Sequence, residues 1–181
     1  PLSLVPVRIM RPRDEAITGT SPLTEGEIDP SPFRQFSRWF EEAKQHQPHL
    51  PESATLATCG RDGIVTARVV LLKCFDEHGF VFYTNYASRK GQQISESPRV
   101  SLCFFWAILD RQIRIDGVAV KTTEEESDAY FATRPRGSQI GAWASHQSAV
   151  IPGRGDLDQR FRELEANHRE RQVPRPPHWG G

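Results

Sequence analysis

Apolar residues recur at helical spacing in the segment DPSPFRQFSRWFEEAKQ, residues 29–45. Phe33, Phe36 and Phe40 fall on one face of a helix of this length. Ser31 followed by Pro32 is typical of a helix start, because serine caps the first free amides and proline suits the first helical position. The pattern therefore predicts a core-packing helix. Residues 1–30 have no such periodicity and predict an irregular arm.

Short, strand-like apolar stretches fill the middle of the chain. They read SATLATCG, IVTARVVLLKCF, FVFYTN, RVSLCFFW and RQIRIDGVAV, and the turn sequences RDG and DEHG separate the first three. In the fifth stretch, Ile113 and Ile115 alternate with Gln112 and Arg114, which predicts one buried face and one polar or ligand-facing face.

Helical patterns return in the last third of the chain. TEEESDAYFATRP has a capping box at Thr123 and Glu126 and should end before Pro135. GSQIGAWAS predicts a short helix capped by Ser138. DLDQRFRELEANHRE predicts an amphipathic helix, and VPRPPHWGG an extended tail. Strands that follow one another without intervening helices indicate an antiparallel sheet or barrel in one α+β domain, residues 31–181.

The composition excludes several classes of protein. The 181 residues suit one domain, and 23 basic residues balance 23 acidic ones, so the basic excess typical of nucleic-acid binding is absent. No apolar run approaches the roughly 20 residues that span a membrane. The six histidines lack the spacing of metal ligands, so no metal site is predicted.

The three cysteines bear on the cell compartment. Cys59, Cys74 and Cys103 each lie in a strand-like stretch and form no C-x-x-C pair. Buried, reduced thiols are therefore predicted, which is typical of the cytoplasm. The chain starts with Pro1, so the sequence is compatible with an organelle-targeting segment that preceded Pro1 and was removed.

The stretch TNYASRKGQQI, residues 84–94, places two cations where a helix could begin. If the helix starts after Ser88, its free amides and positive dipole end attract anions. Arg89 and Lys90 are slightly unfavourable at that position unless an anion binds there. The pattern fits a phosphate site, and an ordinary solvated turn is the alternative.

Two further groups suggest anion binding. Arg68 and Lys73 are five residues apart in one predicted strand, so they should point to opposite faces unless a bulge intervenes. They could serve different ligands or subunits, or could be edge-strand cations in water. Tyr130 and Arg134 share a helical face, with Ser138 just beyond, which would suit an aromatic phosphate ester or a packed helix end.

No motif for a nucleophile, dinucleotide or P-loop is present, and no carboxylate pair stands out. The residues that do stand out bind anions and are poor candidates for acid–base catalysis, so no catalytic acid or base is assigned. This favours a bound cofactor as the source of the chemistry.

The chain resembles the pyridoxamine 5'-phosphate oxidase family, FMN enzymes of vitamin B6 metabolism. The resemblance rests on ARVVLLK, FVFYTNYASRKGQQI, SPRVSLCFFW, RQIRIDG, YFATRPRGSQIGAWASHQS and VPRPPHWGG, in the family's order from about residue 33 to residue 181. It implies a split β-barrel with flanking helices and a homodimer with FMN at its interface.

The resemblance also implies roles for individual residues. The implied FMN contacts are Arg68, Val69, Val70, Leu71, Leu72, Lys73, Tyr83, Thr84, Arg89, Lys90, Gln112, Gln147, Ser148 and Trp179. The substrate phosphate would be held by Lys73, Tyr130, Arg134 and Ser138.

The implied reaction oxidises pyridoxamine or pyridoxine 5'-phosphate to pyridoxal 5'-phosphate, with O2 as acceptor and H2O2 as product. Family members continue past WGG into strands with an Arg-x-His segment that contacts the substrate. The 181 residues contain no such triplet, so those strands are expected to be lacking. Two alternatives follow: a non-catalytic module that binds FMN or pyridoxal phosphate, and a related flavin enzyme for another substrate, such as a phenazine precursor.

Overall fold

The computed structural model describes residues 23–46, 49–169 and 171–181, so most of the arm predicted at residues 1–30 lies outside the described residues. The helices are α1 (Pro32–His46), α2 (Arg89–Glu96), α3 (Glu124–Thr133), α4 (Arg136–Ala144) and α5 (Arg154–Asn167). The strands are β1 (Ser53–Cys59), β2 (Val65–Asp76), β3 (Gly79–Phe82), β4 (Thr84–Asn85), β5 (Arg99–Trp106), β6 (Arg111–Val118) and β7 (Trp179–Gly180).

Five strands form one curled antiparallel sheet in the order β3-β2-β1-β5-β6, and helices flank it. The α+β prediction is confirmed. The strand β2 pairs with β1 through residues 65–71 and with β3 through residues 72–76, so Arg68 and Lys73 each have a paired strand on one side only. Lys73 is exposed, as an edge-strand cation in water would be, whereas Arg68 is half-buried and needs polar partners on its own face.

The helix α1 covers the inner face of this sheet, as its apolar spacing predicted. Phe36 is 3% exposed. Its ring meets Phe75 and Phe80 edge-on, with centroids 4.8 and 4.9 Å away. Phe104 and Trp106 complete this aromatic core and are fully buried. The helix start is also as expected, because Ser31 Oγ accepts a hydrogen bond from Arg34 N.

A β-bulge interrupts β2 at Lys73. Leu72 pairs with Phe82 and Cys74 with Val81, so one extra residue enters β2. Leu72 and Phe75 both pack in the core, and the two residues between them are exposed. Arg68 shares the inner side with Leu72, so the bulge leaves Arg68 and Lys73 on opposite faces.

The tail returns to the middle of the chain. The strand β7 pairs with β4, with Asn85 opposite Trp179 and Thr84 opposite Gly180. Trp179 joins Phe131, Ile140 and Val173 in a second core cluster. The helix α5 packs Phe161 and Leu164 against it, in line with its predicted apolar stripe.

Two predictions need correction. The helix α4 begins at Arg136 after Pro135, so Ser138 lies inside its first turn and does not cap it. The cysteines are free thiols, as predicted, but Cys74 is exposed, and Cys59 and Cys103 are only half-buried. The bulge turns Cys74 to the outer face.

In the described part of the chain, no helix has the length and apolar character needed to cross a membrane.

Candidate cofactor and substrate site

The helix α2 begins where the sequence predicted, at a serine cap. Ser88 Oγ accepts a hydrogen bond from Gly91 N at 3.4 Å, and Ser88 is fully buried. A turn at Asn85 presents this cap: Asn85 Oδ1 accepts from Ala87 N, and Asn85 O accepts from Ser88 Oγ. The first amides and the positive dipole end of α2 are therefore held in a fixed direction.

Lys90 folds back onto this turn. Its Nζ donates to Ser88 Oγ at 3.2 Å and to Gln147 Oε1 at 2.7 Å. Burial lowers the pKa of Lys90, and the charge of Arg68 lowers this pKa further. The contact with Gln147 joins the predicted SRK and HQS residues in one place.

Arg68 points to the inner face and is held by oxygen atoms. Its Nη1 donates to Leu56 O at 3.1 Å and to Thr58 Oγ1 at 2.6 Å, and its Nη2 donates to Thr66 Oγ1. Burial lowers the pKa of Arg68, and the charge of Arg89 lowers it further. Arg68, Arg89 and Lys90 therefore form one group of like charges, here called the cationic cluster.

The cationic cluster has no anionic partner in the part of the chain that the structure describes. Among the described residues, no carboxylate forms an ion pair with any of its three members. Partly buried like charges at a helix N-terminus are unfavourable unless an anion compensates them. The phosphate of FMN fits this arrangement, because guanidinium, ammonium and helix amides are the donors that phosphate accepts.

A second group forms around Tyr83, the residue that precedes β4 in the sequence. Tyr83 stacks on Tyr130 with ring centroids 4.0 Å apart, and on Trp179 at 5.3 Å. The guanidinium carbon of Arg134 lies 4.5 Å from the centre of the Trp179 ring. We call Tyr83, Tyr130, Trp179 and Arg134 the aromatic–arginine cluster.

Arg134 has an unsatisfied donor in this cluster. Its Nη1 is buried and has no hydrogen-bond partner among the described residues. Burial lowers the pKa of Arg134, while the nearby Tyr130 opposes that shift. A buried N–H without a partner costs about 1–3 kcal/mol, so an anionic ligand that accepts from it is strongly favoured.

The other predicted site residues are more dispersed. Lys73 is the extra residue of the bulge and is exposed on the outer face, next to Cys74. Burial raises the pKa of Tyr83, and the nearby Cys74 raises it further. Ser138 is exposed in the first turn of α4. Ser148, beside Gln147, has a left-handed backbone with φ of 69°.

The remaining strand residues divide between the two faces of the sheet. Val70 and Leu72 pack in the core, whereas Val69 is exposed. Gln112 is on the outer face, opposite Phe105, and the described residues bring it to neither cluster. Trp179 and the members of the cationic cluster were all predicted to hold FMN, but Trp179 lies in the aromatic–arginine cluster.

The sequence interpretation missed Thr58 and Thr66, which hold Arg68. The signal was available in the hairpin register, because the turn between β1 and β2 places Thr58 opposite Thr66 and Leu56 opposite Arg68. Side chains of paired residues share a face, so both hydroxyls lie beside the guanidinium.

Comparisons with known proteins agree with one another. The family model described as pyridoxamine 5'-phosphate oxidase matches residues 40–168. A pyridoxine/pyridoxamine 5'-phosphate oxidase of Rubrobacter xylanophilus is 57% identical over 159 residues, which cover 88% of this chain and 73% of that protein. One of the same name from Paraburkholderia phymatum is 56% identical, with coverage of 88% and 74%.

Solved structures support the same fold. PhzG from Burkholderia lata, in complex with tetrahydrophenazine-1-carboxylic acid, has a TM-score of 0.82 at 29% identity and covers 89% of this chain and 80% of its own. A pyridoxamine 5'-phosphate oxidase-related, FMN binding protein from Nostoc punctiforme has a TM-score of 0.62 at 15% identity, with coverage of 82% and 77%. The curled sheet and its helices therefore form a split β-barrel.

Proposed function

The chain belongs to the pyridoxamine 5'-phosphate oxidase family, and from that premise we propose that it oxidises pyridoxamine or pyridoxine 5'-phosphate to pyridoxal 5'-phosphate with O2. It is an FMN-dependent oxidoreductase of vitamin B6 metabolism. The observation that carries the proposal is the presence of two separate anion sites, the cationic cluster and Arg134.

The cationic cluster would hold the FMN phosphate. Arg68 and Lys90 are positioned by hydroxyl and amide oxygens, and Ser88 fixes the helix amides between them. Bound FMN supplies the redox chemistry, because its isoalloxazine ring accepts two electrons and a proton from the C4' carbon of the substrate. Removal of the phosphate from the cofactor should therefore weaken binding much more than removal of the hydroxyl groups of its ribityl chain.

The aromatic–arginine cluster would hold the substrate. Arg134 Nη1 would donate to the substrate phosphate, with Tyr130 beside it and Lys73 and Ser138 as further donors. The chain would thus act by binding and orienting the substrate, and we assign no residue as acid or base. For the amine substrate, hydrolysis of the resulting imine releases ammonia. O2 would take up the two electrons together with two protons and leave as H2O2.

The test is an anaerobic titration of the FMN-loaded protein. Pyridoxine 5'-phosphate should bleach the flavin absorbance, and air should restore it with one H2O2 for each pyridoxal 5'-phosphate formed. Unphosphorylated pyridoxine is the matched control and should bleach the flavin only at much higher concentration. Tight FMN binding without bleaching by either phosphorylated vitamer would refute the oxidase proposal and favour the non-catalytic binding module.

A phenazine-type substrate is the second candidate, and the likeness to PhzG is the observation that favours it. Either substrate would offer an anion to the buried Arg134 Nη1. The phosphate ester is preferred because the chain is 57% identical to a pyridoxine/pyridoxamine 5'-phosphate oxidase and 29% identical to PhzG. The two candidates separate in one assay, because bleaching by tetrahydrophenazine-1-carboxylic acid and not by pyridoxine 5'-phosphate would select the phenazine reaction.

We also propose a homodimer with the cofactor at its interface. The outer face of the sheet exposes Val65, Val69, Phe105 and Val118, each more than 60% exposed. Several large, exposed apolar side chains on one sheet face are typical of an interface, and Gln112 on the same face would then reach the partner's cofactor. Light scattering should give twice the chain mass, and a monomer that retains FMN would contradict this. Free thiols support a cytoplasmic location.

A further inference from the structure

One glutamine of α2 reaches back under the sheet. Gln93 is 6% exposed, and its amide lies between the strands β1 and β2. Its Nε2 donates to Ile64 O at 3.1 Å. Its Oε1 accepts from Thr58 Oγ1 and from Thr66 Oγ1, both at 2.6 Å.

These hydrogen bonds have one consistent direction. Each threonine hydroxyl has a single proton, and Gln93 Oε1 takes both of these protons. The hydroxyl oxygens are then left with free lone pairs, which accept from the two Nη atoms of Arg68. The orientation of the Gln93 amide is fixed by the donation of its Nε2 to Ile64 O. A flipped amide would place its oxygen against Ile64 O and its NH2 group against the two threonine hydroxyls.

We propose that Gln93 is a positioning residue for the cofactor phosphate, which acts through Thr58 and Thr66 on the guanidinium of Arg68. Gln93 lies one turn after Arg89 and Lys90 on the same helix. It therefore ties the two halves of the cationic cluster, one on β2 and one on α2, into a single unit. The inference rests on the proposed function in that the phosphate belongs to FMN.

The experiment compares FMN with riboflavin, which has the same ring and ribityl chain but no phosphate. Dissociation constants of both are measured by flavin fluorescence with the purified apoprotein. Gln93→Leu removes the acceptor, and Gln93→Glu keeps the acceptor but adds a charge that competes with phosphate for Arg68. Thr58→Val and Thr58→Ser test the relay, and Thr55→Val, an exposed threonine of the same strand, is the matched control.

The expected result is a loss of FMN affinity of roughly 10- to 100-fold in Gln93→Leu, Gln93→Glu and Thr58→Val, with riboflavin affinity changed less than about threefold. Thr58→Ser should restore FMN binding, and Thr55→Val should match the wild type. In an Arg68→Met background, Gln93→Leu should have no further effect on the affinity ratio, because its route to the phosphate is gone.

Other results would overturn the inference. Equal losses for FMN and riboflavin would make Gln93 a structural residue, as would independent effects of Gln93→Leu and Arg68→Met. If a variant fails to fold, shown by its thermal transition, Thr58→Val against Thr58→Ser decides the question. Failure of the proposed function gives a different result: the wild type would then bind FMN no better than riboflavin, or would bind FMN without turnover.

Discussion

Arg134→Met should separate stability from substrate binding. In the apoprotein, Arg134 Nη1 is buried without a partner, and removal of such a donor should return about 1–3 kcal/mol. The loss of the stacked contact with Trp179 should cost about 0.5–2 kcal/mol. Together the two effects should change the free energy of unfolding by about −1 to +2.5 kcal/mol.

Binding of the phosphorylated substrate should fall sharply in the same variant. A hydrogen bond to a charged group contributes about 1.5–3 kcal/mol, which corresponds to a loss of about 10- to 150-fold in affinity for pyridoxine 5'-phosphate. Affinity for unphosphorylated pyridoxine should hardly change, because it offers no anion to Arg134. FMN affinity should also be unchanged, since the cationic cluster lies elsewhere.

The assays are urea unfolding of the apoprotein and anaerobic substrate titration of the FMN-loaded protein. Arg136→Met is the matched control, because the Arg136 guanidinium donates to Arg171 O at 3.2 Å and to His168 O outside the cluster. The control should lose stability and keep substrate affinity. The reasoning fails if Arg134→Met is destabilised as much as the control, or if it binds the phosphorylated substrate like the wild type.

Three further outcomes are expected. Because the pKa of Lys90 is lowered, apoprotein stability should rise with pH between that lowered value and the ordinary one, and FMN binding within the same pH interval should take up protons; calorimetry in two buffers should show this uptake, and its persistence in Lys90→Arg would contradict the assignment. Trp179→Phe should raise the substrate KM about two- to tenfold and leave FMN affinity unchanged; an unchanged KM with weaker FMN binding would instead support Trp179 as a cofactor contact. Gly180→Ala would force a Cβ against Tyr86 Oη, so its Tm should fall by several degrees, whereas Gly137→Ala, with open space around it, should not lower Tm.

The element pattern was largely predictable because it depends on local signals. The cap at Ser88, the capping box at Thr123 and the stop before Pro135 all act within one helical turn, and each is as predicted. The anion interpretation of Arg89 and Lys90 rested on the same local physics, since cations at a helix N-terminus need compensation.

The rest of the site depends on contacts between distant segments, which spacing alone does not encode. The two-residue strand β7 is too short to show periodicity, so the location of Trp179 beneath Arg134 was not predictable. The bulge at Lys73 has no glycine or other turn residue that would indicate it in the sequence. Gln93 was missed because one glutamine in a polar helix looks like a solvated residue, and only the register of Thr58 with Thr66 shows its target.

The pairing of β7 with β4 has a consequence for the order of folding. The bond from Tyr86 Oη to Gly181 O joins residues 95 positions apart, whereas the hairpin of β1 and β2 closes across a few residues. Long closures carry a larger entropic cost and form late. During synthesis the curled sheet should therefore be able to assemble before β7 has been made. The turn that precedes Ser88 would gain its last support only when β7 pairs with β4, so cofactor loading should follow that late pairing.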